Sequence, residues 1–260
     1  MSLQFAVVHE AGADFQIATE LADRVLCESI PWLDEDLLPD QRTWIAEAPD
    51  GERLTWTRIK KSAPDEGFRV HGRFNEGEPA LPDARAARRA IRYLRRKLPS
   101  LDAIVLIRDQ DNKPQRRDGL EQARREDRSK LPIVVGFAVV ERECWILSGY
   151  EPEDDHETAL LRAESSRLGL DPRHRNHELT PGKDEEPRGP KRVLRTLSTG
   201  DTDRERRCWR ETSLTLLQQR GKENGLAAYL GEVRDRLAPL IDPQALRSAS
   251  PGAVNPPSTP

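Results

Sequence analysis

The chain has 260 residues, with 42 Lys or Arg against 45 Asp or Glu, a formal charge of -3 and only 36% apolar residues. That near balance excludes a histone-like polybasic protein. The longest strongly apolar stretches, Ala103 to Ile107 and Pro132 to Val140, fall far short of the roughly 20 residues a bilayer-crossing helix needs. The opening MSLQFAVVHE has neither a basic run nor a cleavage site, and Cys27, Cys144 and Cys208 are widely spaced without a C-x-x-C pattern. A cytoplasmic protein with no disulfide framework and no structural zinc is therefore expected.

In chain order, Gln4 to Val8 is an apolar run ending at once in His9 and Glu10, which predicts a buried strand followed by a loop. Asp14 to Ser29 places Phe15, Ala18, Leu21, Ala22, Val25 and Leu26 at helical spacing. Two runs containing Trp44 and Trp56 flank the turn signal Pro49-Asp50-Gly51 and predict a hairpin. Residues 31–82 as a whole read as an insertion carrying specificity, or as a connection that hides one more strand. Asp83 to Leu98 predicts a helix with Ala87, Ile91, Leu94 and Leu98 on one side and arginines on the other. Leu101 to Ile107 and Ile133 to Val140 are continuous branched apolar runs, the pattern of strands covered on both faces, with a charged helix expected from Leu120 to Lys130 between them.

Strands alternating with helices predict an α/β fold, a mostly parallel sheet flanked by helices, because parallel strands require crossover connections. Asp155 to Leu168, Lys191 to Ser198, Arg204 to Gln219 and Gly225 to Leu240 read as further helices. The expected organisation is a catalytic domain over 1–150, a C-terminal helical region over 151–242 and a disordered Ser- and Pro-rich tail over 243–260.

Ligands in such sheets sit at the carboxyl ends of the strands, and here three strands end in acids: Glu10, then Asp109 and Asp111, then Glu141 and Glu143. Carboxylates gathered at one edge repel one another unless cations lie between them, and Mg²⁺ favours such oxygen ligands together with substrate phosphate. Asp109 and Asp111, two apart at a strand end, project to one side and can hold one metal or bridge two.

The stretch VVHEAGAD resembles the first motif of Toprim domains, a strand followed by E-G-x-x-D, with Glu10 and Asp14 at matching spacing and Ala11 in the place of the glycine. IVLIRDQDN resembles the second Toprim motif, a strand ending in D-x-D. VVERECWILSG and the later RGPKRVL are similar to the third conserved region and the proline-lysine motif of small stand-alone Toprim-like proteins of bacteria, a domain of unknown function related to OLD-family and RloB-like defence nucleases. The resemblance implies a Toprim-like fold and a Mg²⁺- or Mn²⁺-dependent nuclease, the effector of a bacterial anti-phage defence system. It further implies that Glu10 holds a metal or acts as general base, that Asp109 and Asp111 bind the metal, and that Glu141 or Glu143 helps hold a second. Lys191 would contact the scissile phosphate or the developing charge. Asp14 is equally explained by metal binding and by helix capping.

Arg85, Arg88, Arg92 and Arg95 form a helix face able to track a nucleic-acid backbone, DNA foremost, or merely to be solvated. His174 and His177 lack the companions of a zinc site, and the tryptophans read as packing residues. There is no G-x-x-x-x-G-K-[ST] loop, so ATP control would require a separate ATPase subunit. Two other readings stand beside the nuclease. One is a D-x-D phosphatase, although that class places its motif on the first strand; the other is a degenerate Toprim module that binds a partner or nucleic acid without cleaving it.

Overall fold

A computed structural model describes residues 2–65, 67–68, 73–74, 77–183 and 186–245. Residues 246–260, most of the tail expected to be disordered, lie outside the described residues. The protein is α/β, and its sheet is parallel throughout: β1 (Leu3–Val8), β2 (Arg42–Ile45), β3 (Ala103–Asp109) and β4 (Ile133–Ala138) lie in the order β2-β1-β3-β4. Val8 pairs with Leu106, and Asp109 pairs with Ala138, so β1, β3 and β4 finish at one edge. The chain winds from β1 out to β2, then returns to the other side of β1 with β3. The winding direction therefore reverses between β1 and β3, and connections that diverge there leave a crevice at the carboxyl ends.

Period-2 alternation divides the strand residues between two cores. Phe5, Val7, Val105, Ile107 and Val134 face a layer containing α1 (Gly12–Ser29), while Ala6, Val8, Ile104, Leu106, Val135 and Phe137 face α3 (Trp56–Asp65), α4 (Ala84–Lys97) and α5 (Arg116–Arg125). Between α1 and β2 lies the short helix α2 (Leu38–Gln41). Most of these strand side chains are fully shielded, and each such burial contributes about 1.5–3 kcal/mol.

The C-terminal region is the other half of the first core rather than a layer with a core of its own. After α6 (Glu143–Ser148) come α7 (Asp155–Leu168), α8 (Pro190–Ser198), α9 (Thr202–Arg210), α10 (Leu214–Arg220), α11 (Leu226–Arg236) and α12 (Ala238–Ile241). Trp145, Leu197, Trp209, Tyr229 and Val233 from these helices join the same cluster as Phe5 and Leu21. Tyr229 of α11 stacks on Trp145 at 5.1 Å, and its hydroxyl donates to the Ala18 carbonyl at 2.8 Å. Among the described residues no helix is long and apolar enough to cross a membrane.

Several local expectations are corrected. The expected hairpin shrinks to one antiparallel bridge, Glu47 with Arg53, around the turn; Thr43 and Trp44 pair in parallel with β1, and Trp56 begins a helix. Residues 31–82 thus hold the fourth strand. Backbone bonds between His9 and the Leu54-Trp56 segment then dock α3 against the end of β1. The predicted helix from Arg204 to Gln219 breaks into α9 and α10 at Glu211-Thr212-Ser213, where the Ser213 hydroxyl accepts from the Leu216 N–H and starts a new helix. The helix expected from Gly225 to Leu240 likewise ends at Arg236, with Pro239 in the first turn of the short α12.

Candidate active site at the carboxyl edge of the sheet

The three strand ends deliver their acids to one place. Glu10 follows β1, Asp109 closes β3, and after β4 the turn carries Glu141 and the first residue of α6 is Glu143. That turn is held in an unusual form. Val140, buried and β-branched, has φ +70°, a left-handed conformation that such a residue rarely adopts, and Asp111 has φ +48°. The Asp111 N–H donates to the Val140 carbonyl at 3.0 Å, and the Gln110 N–H to the Ala138 carbonyl at 2.8 Å. The two strand ends are therefore laced together where they release their carboxylates. Strain of this kind costs about 1–3 kcal/mol per residue and tends to gather at functional sites.

The clustering perturbs the acids' protonation. The Asp109 carboxyl is pushed up to about 8, first by burial and then by the negative charges of Asp14, Glu143 and Glu10, with Arg142 opposing. Glu141 is raised to about 7, again mainly by burial, with Lys191 pulling it down and Glu143 adding to the rise. Glu10 is raised by burial against the pull of Arg108. The outer oxygens Glu141 Oε2 and Glu143 Oε2 are buried and lack any hydrogen-bond partner. Buried carboxylate oxygens without donors are costly, and one cation resolves several of them at once.

Arginines do part of that work. Arg142 Nε lies 3.1 Å from Asp14 and its terminal nitrogen 2.7 Å from Glu143. Arg108 Nε lies 3.2 Å from Glu10, and Arg116 reaches Asp111 at 2.6 Å and Asp83 at 2.8 Å. Among the described residues no group of three His, Cys, Asp or Glu side chains is gathered closely enough to hold a metal ion. The donor chemistry still suits a hard cation. Asp109 lies under the field of Glu10, Asp14 and Glu143, and the two orphaned oxygens are carboxylate oxygens, the ligands Mg²⁺ and Mn²⁺ take.

Of the residues singled out from the sequence, Glu10, Asp109, Asp111, Glu141 and Glu143 come together at this edge. Lys191, in the first turn of α8, joins them with Nζ 3.8 Å from Glu141. Asp14 serves in two ways: one oxygen accepts from the Glu10 and Ala11 N–H groups at 3.1 and 2.7 Å, and the other faces Arg142. The arginines of α4 are divided. Arg85 lies toward the acidic edge, whereas Arg88, Arg92 and Arg95 line a separate hollow with Glu126 and Asp127.

Arg108, Arg116, Arg142 and Asp83 also belong to the site, without having been expected there from the sequence. A guanidinium inside the apolar run IVLIRD, and one between two acids in ERE, were signals for the first and third; Arg116 and Asp83 meet only through the fold. Asn224 was also missed. Its side-chain amide donates to the Cys144 carbonyl, Ser148 Oγ and Asn176 Oδ1, and its carbonyl accepts from Val139 N–H and the Trp145 indole. This fully buried hub fixes the segment that carries Glu141 and Glu143.

Comparison with protein-family models, with curated proteins and with solved structures returns no match.

Proposed function

We propose that this protein is a Toprim-like, Mg²⁺- or Mn²⁺-dependent nuclease that hydrolyses phosphodiester bonds in nucleic acid at the carboxyl edge of its sheet. The observation that carries the reading is the convergence of Asp14, Glu143 and Glu10 on Asp109 at the point where the sheet's winding reverses, a crowding of acids that, with burial, raises the Asp109 carboxyl. Such a cluster is at ease only with added positive charge. Glu10, Asp109, Asp111 and Glu143 would hold the metal, which when bound supplies Lewis-acid stabilisation of phosphate oxygens and an activated water. Glu141, raised to about 7, is suited to hold or give up a proton near neutral pH. The setting of an anti-phage defence system, with a separate ATPase subunit, rests on the motif resemblance.

Incubation of plasmid DNA and of RNA with the purified chain, with and without Mg²⁺ or Mn²⁺, tests the reading. Metal-dependent cleavage lost in Glu10→Gln is the expected result. The engagement of Arg108, Arg116 and Arg142 with the acids favours one second reading, a module that binds nucleic acid or a partner without cutting it. Binding without cleavage under any divalent metal would select that module.

Lys191 offers a further test. Its ammonium faces Glu141, and a compact point charge there suits the charge that develops on a leaving oxygen. Lys191→Ala is expected to lower single-turnover cleavage by about 10² to 10³ while equilibrium binding changes little. Loss of binding with an unchanged chemical step at saturation would instead assign Lys191 to substrate capture.

A further inference from the structure

A cleft of about 540 Å³ opens beside the carboxylate edge, between α3, α4 and the end of β3. Its lining includes Lys60, Arg85, Arg89, Arg108, Lys113 and Arg116, and a single acid, Asp83. That acid is already engaged, by Arg116 at 2.8 Å and Arg108 at 3.5 Å. Lys60, Arg85, Arg89 and Lys113 form no ion pair among the described residues, and Arg89 Nε is buried without a hydrogen-bond partner. Like charges converging on one hollow without counterions repel, unless the hollow receives an anion.

The cations come from separate places: α3, two successive turns of α4, the end of β3, the following loop and α5. Such a spread suits several phosphates in series better than one. Arg108 and Arg116 belong to both the cleft and the acidic edge, since they also touch Glu10 and Asp111. The cleft therefore leads into the carboxylates. It has no open aromatic face for a base: Trp56 is 7% exposed, its ring lies 5.1 Å from the Arg108 guanidinium, and its indole N–H is spent on the Ile107 carbonyl at 2.7 Å. The hollow on the other side of α4 differs, because Arg95 is paired with Asp127 and Arg88 lies over the Phe74 ring.

We infer that the cleft between α3 and α4 is a track for the phosphodiester backbone of one nucleic-acid strand, held by Lys60, Arg85 and Arg89 without reading its bases. The inference rests on the nuclease reading for what lies at the end of the track, but it is tested by binding alone. Phosphate contacts of this kind contribute charge and position, not sequence preference.

The test uses the full chain in EDTA, so that no metal-dependent cutting occurs, and fluorescence anisotropy with labelled 20-nucleotide single strands of two unrelated sequences. ATP and inorganic phosphate serve as competitors. Both strands should bind alike, with an affinity that falls steeply with salt. The Lys60→Gln/Arg85→Gln/Arg89→Gln triple variant should weaken binding about tenfold or more at low salt and reduce the log-log salt slope by about 2, since each lost single-strand phosphate contact removes about 0.7. The Arg88→Gln/Arg92→Gln/Arg95→Gln variant should lose much less. ATP or phosphate should displace the strand only at far higher concentration, because neither spans the cleft.

An equal or greater loss in the second variant would overturn the inference, as would displacement by ATP at concentrations comparable to the strand, which marks a small-anion site. Unchanged binding in the first variant would overturn it too, whether or not the parent cleaves. If the first variant loses binding while the parent fails to cut under any divalent metal, the track stands and the nuclease reading falls.

Discussion

Asp109→Asn is expected to yield a folded protein that is more heat-stable than the parent at pH 8 and unable to cleave nucleic acid. Both effects have one cause. Burial, then Asp14, Glu143 and Glu10, push the Asp109 carboxyl up to about 8, whereas in the unfolded chain it titrates near the ordinary value of about 3.9. Between those values the folded state keeps a proton that the unfolded state has lost. The contribution of this group to stability therefore declines as pH rises from about 4 to 8, and asparagine, which carries no charge, escapes the decline. The gap in melting temperature between variant and parent should be small near pH 4 and widest from pH 8 upward. Added Mg²⁺ at pH 8 should raise the parent's melting temperature, because binding to the folded state alone stabilises it, and should barely affect the variant. Cleavage should fall by more than about 10²-fold. Scanning calorimetry across this pH range decides the matter: a variant that melts below its parent at pH 8 would mean Asp109 is held by favourable contacts, and the need for a cation at this edge would disappear.

The parts of the site that could be read from the sequence were those whose chemistry is local to a strand end. Glu10, Asp109, Asp111, Glu141 and Glu143 each follow an apolar run, and parallel strands of similar length must bring such positions to one edge. The counter-charges were not legible in the same way, because they are paired by distance in space. Arg116 meets Asp83 across 33 residues of sequence and Arg142 meets Asp14 across 128, and no spacing rule links either pair. The fourth strand was obscured for a different reason. Arg42–Ile45 is only four residues long and contains a tryptophan that suits a hairpin as well as an edge strand, so tertiary pairing with β1 decided its partner. The C-terminal helices were legible as helices forming a C-terminal cap, but not in what each of them packs against. Their buried residues, such as Tyr229 and Leu230, have the periodicity of any amphipathic helix, which does not say what they pack against.

The arginines give the acidic edge two means of balance. In the protein alone, Arg142 spans Asp14 and Glu143, while Arg108 and Arg116 hold Glu10 and Asp111, so these four carboxylates each have a partner without a shared ion. A substrate phosphate, as the proposed function requires, would compete for the same guanidinium groups, since planar donors bind phosphate as readily as carboxylate. Drawing Arg108 and Arg116 toward the cleft would release Glu10 and Asp111 toward a metal. In the proposed nuclease, substrate and metal binding would thereby be coupled through two side chains, each strengthening the other.

Gly225→Ala is expected to lower the melting temperature by about 10 °C, while Gly231→Ala, in the same helical segment, should leave it unchanged or raise it slightly. Gly225 precedes α11 with φ +87°, and a Cβ there would lie 2.0 Å from the Phe137 carbonyl oxygen of β4. Neither backbone is free to withdraw. The adjoining Asn224 carbonyl accepts from Val139 N–H at 2.9 Å and from the Trp145 indole at 3.0 Å, and its side-chain amide is enclosed by Cys144, Ser148 and Asn176. The left-handed conformation and the displacement of β4 together cost about 3 kcal/mol or more, and in a domain of this size each kcal/mol moves the melting temperature by about 2–4 °C. Gly231 has nothing within 4 Å of the same hypothetical atom, and alanine gains up to about 1 kcal/mol over glycine inside a helix. The consequence reaches the acidic edge, because the end of β4 that Gly225 presses against continues directly into Val140 and Glu141. Cleavage by Gly225→Ala at a temperature where it remains folded should therefore drop as well, whereas Gly231→Ala should cut like the parent. Thermal melts followed by circular dichroism, with cleavage measured on the same samples, provide the comparison. Identical melting temperatures for the two variants would separate α11 from β4 and remove the clamp that holds the turn carrying Glu141 and Glu143.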